Sequence, residues 1–311
     1  MSDRATLLTV RQEFKDQPPI LRSFLNSSVT IERAEENPIL VGAGDSYAAA
    51  LCASFIAGPK VSAFDPLSLL ASAGWSRGRQ VYIISISGQT KTNVQLASTL
   101  RGVASKTACI TCNPASRLAA VVDEVVELPF RPTAKSPGIA SFSLSLSAVL
   151  RICGVDPRCD FEGEISRAAS LSKRVRVAAV RNVTHFVGNN EDYAVGLYGA
   201  AKVYELLGGR AQASLLEEFS HMPLFSLSAG DRVNVLEAPG ETRGGLLNKR
   251  LLKGRFASSL LRPQGAGVGR VFQLVFAVQL AAIEAAEREG LEAPYFLGAS
   301  RKLRISDEMI Y

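Results

Sequence analysis

Two stretches of this chain hold residues whose types and spacing could do chemistry. In "VYIISISGQTKTN", residues 81–93, an apolar run ends in Ser85, Ser87, Gly88, Thr90 and Thr92. Hydroxyls donate hydrogen bonds without bringing a fixed charge, and a glycine lets backbone approach a ligand closely. The group reads as a phosphate cradle without the lysine of a P-loop. One Ser or Thr would be enough to cap the helix that follows; here there are several. In the second stretch, "KVYE", Lys202 and Glu205 share a helix face with Tyr198 one turn before them. A carboxylate in such a place can act as a general base. The same spacing also suits a surface salt bridge, worth under ~1 kcal/mol.

Both stretches need elements to hold them. Short apolar strands alternate with helical patterns: "PILVGAG", "DSYAAALCASFIAG", "VSAFDP", "VYIISIS", a helix over 90–104, "TACITC" and "EVVELPF". This βαβα order predicts an α/β fold with a parallel sheet and helices on both faces. Ligands of such sheets bind at the carboxyl ends of strands, where the hydroxyl cluster falls. A helix-like segment over 138–152 closes the first half. The turn-rich "GVDPRCDFEGE" (154–164) places the domain junction there, giving domains over 1–155 and 165–311.

The second half starts the pattern again. "VGAGDSYAAAL" (41–51) aligns with "VGNNEDYAVGL" (187–197), with Val, Gly, Tyr, Ala and Leu at a constant offset. Two β-turn-α units can share small residues for packing reasons alone. The later strands "AQASLL", "DRVNVLEA" and "RFASSLL" and a long helix over 267–289 continue the order, which favours duplication. The copies differ at the strand-to-helix turn. The first offers Gly44, Asp45 and Ser46; the second offers Asn190, Glu191 and Asp192. Helix N-termini attract anions, and carboxylates filling that turn would repel one. Only the first half looks ready for a phosphate.

Composition narrows the classes. The 311 residues are 47% apolar and 21% charged, ordinary for a globular chain of two domains. No apolar run approaches the ~20 residues needed to cross a bilayer. The start "MSDRATLLTVRQEF" carries charges where a signal peptide needs an apolar core, so no membrane and a cytoplasmic location are expected. Five cysteines at irregular spacings argue against a disulfide framework, and "CITC" (109–112) reads as strand and turn. With His185 and His221 the sole histidines, no multi-histidine metal site and no cofactor are expected. The net charge of +6 suits an anionic small substrate. The basic stretch 243–262 lacks the aromatic interleaving of a nucleic-acid reader and reads as a solvated face.

"GAGDSY", "SISGQT", "PGIAS" (137–141) and "KVYE…EEFSHMP" resemble, in order and spacing, the domain pair of the sugar isomerase (SIS) family. Within it they are most like the isomerase half of glucosamine-6-phosphate synthase and the archaeal glucosamine-6-phosphate deaminases. "RQEFKDQPPIL" (11–21) resembles the E-x-x-x-Q-P segment before the first SIS domain, so the resemblance runs from about residue 9 to the end. It implies two tandem SIS-type domains, each a flavodoxin-like three-layer sandwich. By it, Ser85, Ser87 and Thr90 hold the sugar phosphate, and Ser46 and Ser141 contact it or the sugar hydroxyls. Glu205 falls on the catalytic base, Lys202 on its companion lysine, and His221 on the ring-opening histidine. That histidine reaches a neighbouring subunit's site, which implies a homodimer with a shared site. A histidine can give and take protons near neutral pH, as ring opening requires.

Several positions depart from the family. Tyr198 and Gln212 stand where it has glutamates, "HMP" replaces H-G-P, and "FS" follows Ser141 in place of Thr-Lys. Lys302 or Arg304 falls near the place of a tail lysine. The synthase's amide-hydrolysing domain and its N-terminal cysteine have no counterpart here. The expected activity is therefore aldose–ketose isomerisation, or isomerisation with deamination, of glucosamine 6-phosphate or a related hexose 6-phosphate. A phosphoglucose/phosphomannose-type isomerase and a non-catalytic sugar-phosphate-binding regulator are the alternatives. Regulators of that kind carry a helix-turn-helix module, for which the segment before the first strand is too short.

Overall fold

The computed structural model describes residues 5–27, 31–35, 37–131 and 135–311. Residues 1–4, part of the charged start considered above, lie outside them. The chain opens with α1 (Leu7–Lys15), capped by a reciprocal pair of bonds between Thr6 and Thr9, and α2 (Gln17–Asn26). There follow β1 (Ile39–Val41), α3 (Asp45–Ala57), β2 (Ser62–Phe64), α4 (Pro66–Ala71) and β3 (Gln80–Ile84). Next come α5 (Lys91–Leu100), β4 (Lys106–Thr111), β5 (Glu124–Glu127), α6 (Ala140–Ile152) and α7 (Phe161–Ser172). The second half runs β6 (Val183–Gly188), α8 (Asn190–Leu207), β7 (Arg210–Leu215), α9 (Leu216–His221) and β8 (Arg232–Leu236). It ends with α10 (Arg243–Lys253), β9 (Ser258–Leu261), α11 (Gly267–Arg288), α12 (Tyr295–Gly298) and α13 (Ser300–Ile310).

Two boundaries differ from the sequence expectation. Helix α5 stops at Leu100 rather than 104, because the chain reverses through Gly102 at φ 74°. Helix α7 starts inside the stretch read as a junction, because the Asp160 carboxylate accepts the Gly163 N–H at 3.0 Å and caps it.

The chain divides into two compact units. One comprises Pro19–Pro132, Ala140–Pro157 and Arg301–Tyr311. Its sheet has the order β2-β1-β3-β4-β5, with every pairing parallel. Ile39, Val41, Val81, Ile83 and Cys109 meet Leu69 of α4 and Leu96, Ala97 and Leu100 of α5. The alternate residues Leu40, Tyr82, Ile84 and Ile110 are buried too, so the sheet is covered on both faces. Helix α3 lies along β1, β2 and β3 and packs on α6.

The other unit comprises Met1–Pro18, Thr133–Ile139 and Arg158–Ser300. Its parallel sheet has the order β7-β6-β8-β9, the same sequence of crossovers as the first four strands. Val187, Val233 and Val235 meet Leu216 and Phe219 of α9 and Leu251 of α10. On the other face Phe186 lies against α8, where a Cβ on Gly199 would stand 3.1 Å from its ring. That close approach fixes how α8 sits on the sheet. The first helix belongs here as well: Phe14 meets Phe276 edge to face, and Arg11 pairs with Glu287 at 2.5 Å. Helix α11, close to the long helix expected over 267–289, meets the length and mean hydropathy of a membrane span; 89% of its most apolar window is buried in the protein.

Candidate functional site

Within the first unit, β1 and β3 are adjacent and parallel, with Val41 opposite Ile83. The turns after them emerge side by side, at the point where the strand order changes direction. Open α/β sheets bind ligands there. Gly44, at φ 57°, brings the chain into α3, and Ser46 stands in its first turn. Ser85, Ser87 and Thr90 follow β3. Four of the five hydroxyls expected to hold substrate thus flank one crevice edge.

The loop after β3 is tightly held. The Gly88 N–H donates to the Ser85 carbonyl at 3.0 Å, and Ser85 N–H to Ile110 at 2.9 Å. Gly88 has φ 62°, and a Cβ there would collide with the Ser116 side chain. Only glycine fits both demands. Ser87 Oγ accepts a long bond from Gln89 N–H at 3.3 Å, and Thr90, at the N-cap of α5, makes no capping bond with its side chain. Capping therefore does not account for the hydroxyls. Ser141 is buried in the first turn of α6. Lys91, directly after Thr90, donates to the Glu308 carbonyl of α13 at 3.0 Å, so the helix carrying Lys302 and Arg304 borders this loop.

In the second unit, Lys202 is wholly buried, which rules out the surface salt bridge that its spacing also allowed. Its ammonium donates to Glu205 Oε2 at 2.5 Å and to the Gly138 carbonyl at 3.3 Å, and lies 4.8 Å from the centre of the Tyr198 ring. Glu205 keeps 32% of its side chain exposed. A carboxylate one-third open to solvent and pinned by a buried cation is placed to take and return a proton. The structure brings Lys202 and Glu205 together and leaves His221 apart. His221 is exposed at the end of α9, 3.3 Å from Glu217, which itself pairs with Arg243 at 2.6 Å. Gln212 meets Nδ1 of His185 at 3.0 Å. Burial holds the His185 imidazole below its ordinary value, against a pull upward from Asp231.

The second unit fills its own strand-to-helix turns with carboxylates. Arg270 of α11 reaches Asp192 at 2.8 Å and also pairs with Glu191. Burial pushes Asp192 up to about 6 despite that arginine. After β8, the buried Glu237 accepts the Gly245 N–H at 2.9 Å and pairs with Arg262. Sequence reasoning found the carboxylates of the first turn but missed Arg270, Glu237 and Gln279. A glutamine within the otherwise apolar run 274–283 was the available signal for Gln279.

No protein-family model matches the sequence, and no curated protein matches it. Solved structures do resemble it. Glucosamine-6-phosphate deaminase from Thermotoga maritima is 22% identical with a TM-score of 0.73, over 91% of this chain and 95% of that one. Tagatose-6-phosphate ketose/aldose isomerase from Escherichia coli is 18% identical with a TM-score of 0.75, over 93% and 96%. The C-terminal domain of glucosamine-fructose-6-phosphate aminotransferase from Francisella tularensis is 16% identical with a TM-score of 0.69, over 92% and 97%. These are likenesses of fold. The α/β arrangement of parallel sheets between helices is shared with those structures.

Proposed function

We propose that this protein is a sugar-phosphate aldose–ketose isomerase acting with deamination on glucosamine 6-phosphate or a related hexose 6-phosphate. The observation that carries the reading is the buried Lys202 ammonium holding a partly open Glu205 carboxylate at 2.5 Å. In this reading the two units are tandem SIS-type domains of a cytoplasmic homodimer. Ser85, Ser87 and Thr90 bind the phosphate, with Ser46 and Ser141 on it or on the sugar hydroxyls. His221 opens the ring in the partner's site. Glu205 removes the C2 proton of the open-chain amino sugar, leaving an enolamine. Return of a proton to C1 gives a 2-imine, and addition of water releases ammonia and the 2-ketose phosphate.

The experiment is direct. Purified protein is incubated with glucosamine 6-phosphate and, separately, with fructose 6-phosphate, and ammonia and each hexose phosphate are measured. Ammonia and fructose 6-phosphate in equal amounts from the first substrate are expected. Interconversion of hexose phosphates without ammonia would make it a plain isomerase. Binding without turnover of either would make it a regulator and overturn the reading.

A further inference from the structure

We infer that Tyr198, Gln279 and Gln17 are positioning residues: a buried line of hydrogen bonds that fixes the Lys202 ammonium and, through it, Glu205. The inference deepens the reading of Glu205 as the proton-carrying base and rests on it. The line starts at the first residue of α2. Gln17 Nε2 donates to the Phe14 carbonyl at 3.2 Å and to Gln279 Oε1 at 2.8 Å. Gln279 Nε2 donates to the Tyr198 hydroxyl at 2.8 Å and to the Ile139 carbonyl at 3.3 Å. Tyr198 in turn donates to the Gly138 carbonyl at 2.6 Å, the same oxygen that receives Lys202. Gln17, Tyr198, Lys202 and Gln279 are all wholly buried, and every member belongs to one compact unit.

The direction of each bond is determined by chemistry. A reversed Gln279 amide would set its oxygen against the Ile139 carbonyl, acceptor to acceptor. Its nitrogen must therefore face Tyr198, so the hydroxyl accepts there and its single proton goes to Gly138. The carbonyl is thereby held at a fixed place beneath the ammonium, with the Tyr198 ring beside it. An ammonium has three donors and a flexible stem. Held by a carbonyl and a ring, it donates to Glu205 from a fixed place. Glu205 itself is one-third exposed and would otherwise sample several rotamers.

The test uses Tyr198→Phe, Gln279→Met and their combination, with Gln17→Leu as the mildest change at the far end. Two readouts are taken: kcat and KM on whichever phosphosugar is turned over, and the NMR signal of the Lys202 ammonium, assigned with Lys202→Arg. Tyr198→Phe and Gln279→Met should each lower kcat about tenfold, the size of one hydrogen bond to a charged group, with KM within about twofold. The combination should be little worse than either alone, because both cut one line. The ammonium protons should exchange with water at least about tenfold faster in each variant, by the same free energy. A lowered melting temperature with kcat and exchange unchanged would make the line merely structural and overturn the inference. If the unaltered protein turns over no phosphosugar, the base assignment fails; the positioning of Lys202 is then decided by the exchange rates alone.

Discussion

At the scale of single residues, the chemistry assigned to the two sites separates binding from proton transfer. Ser87 offers its hydroxyl beside a glycine-bent loop, where its Oγ accepts a long bond from Gln89 N–H at 3.3 Å. Ser87→Ala should leave the fold alone and remove a charge-assisted bond worth ~1.5–3 kcal/mol. Affinity for a hexose 6-phosphate, measured by calorimetry, should fall about ten- to a hundred-fold. Unchanged affinity would remove Ser87 from the cradle. Glu205→Gln keeps the shape of the side chain and removes its basicity. Turnover should drop by ~10²–10⁴ while substrate affinity stays within about tenfold. Exchange of the substrate's C2 hydrogen with deuterated water should vanish with it, since that exchange reports proton abstraction directly. Exchange that persists would make Glu205 structural.

At the scale of elements, the sequence showed the strands and their order because apolar runs of four to six residues are bounded by glycine, proline and charge. It also marked the hydroxyls gathered at one strand end, which the fold sets beside the turn after β1. What it could not show was depth. Lys202 and Glu205 would have the same spacing on a surface helix; here α8 lies close on Phe186 and packs on α11, and Lys202 is wholly buried. Nor could it show that Arg270, 78 residues beyond Asp192 in the chain, would pair with Glu191 and Asp192 at the start of α8. That pairing makes a prediction. Arg270→Met should leave Asp192 buried without its cation and destabilise the protein by about 3–5 kcal/mol near neutral pH. The carboxyl's value in the folded protein is raised, to about 6 even with the arginine present. Protonation of such a group favours the folded state, so the stabilising effect is full below its ordinary value and lost as pH rises through the folded one. Urea unfolding of the variant should therefore approach that of the unaltered protein as pH falls from 8 to 5. A deficit constant across that range would mean that the lost stability is packing around the arginine rather than the charge of Asp192.

At the scale of the whole molecule, the grouping of the chain ends follows packing rather than chain order. Val10 and Phe14 of α1 are buried and Phe14 packs on Phe276 of α11, so residues Met1–Pro18 join the second-half unit. The C-terminal helix joins the first-half unit, through Lys91 and Glu308. His221 raises the question of the partner. It is 70% exposed, its hydrogen-bond partner is Glu217, and it stands beside Met222 and Phe225, two strongly exposed apolar side chains. A histidine so open to water, bonded to Glu217 in its own chain, fits the proposed role in a second copy's site. Under that proposal each site of the dimer takes Glu205 from one chain and His221 from the other. Glu205→Gln and His221→Ala homodimers should each be nearly inactive. After the two are unfolded together and refolded, half the dimers are hybrids. Each hybrid has one site bearing both changes and one bearing neither, so about a quarter of the unaltered activity per chain should return. Subunit exchange is verified independently by mass spectrometry of differently tagged chains. Hybrids that form and stay inactive would place both residues in one chain's site, or take His221 out of the reaction.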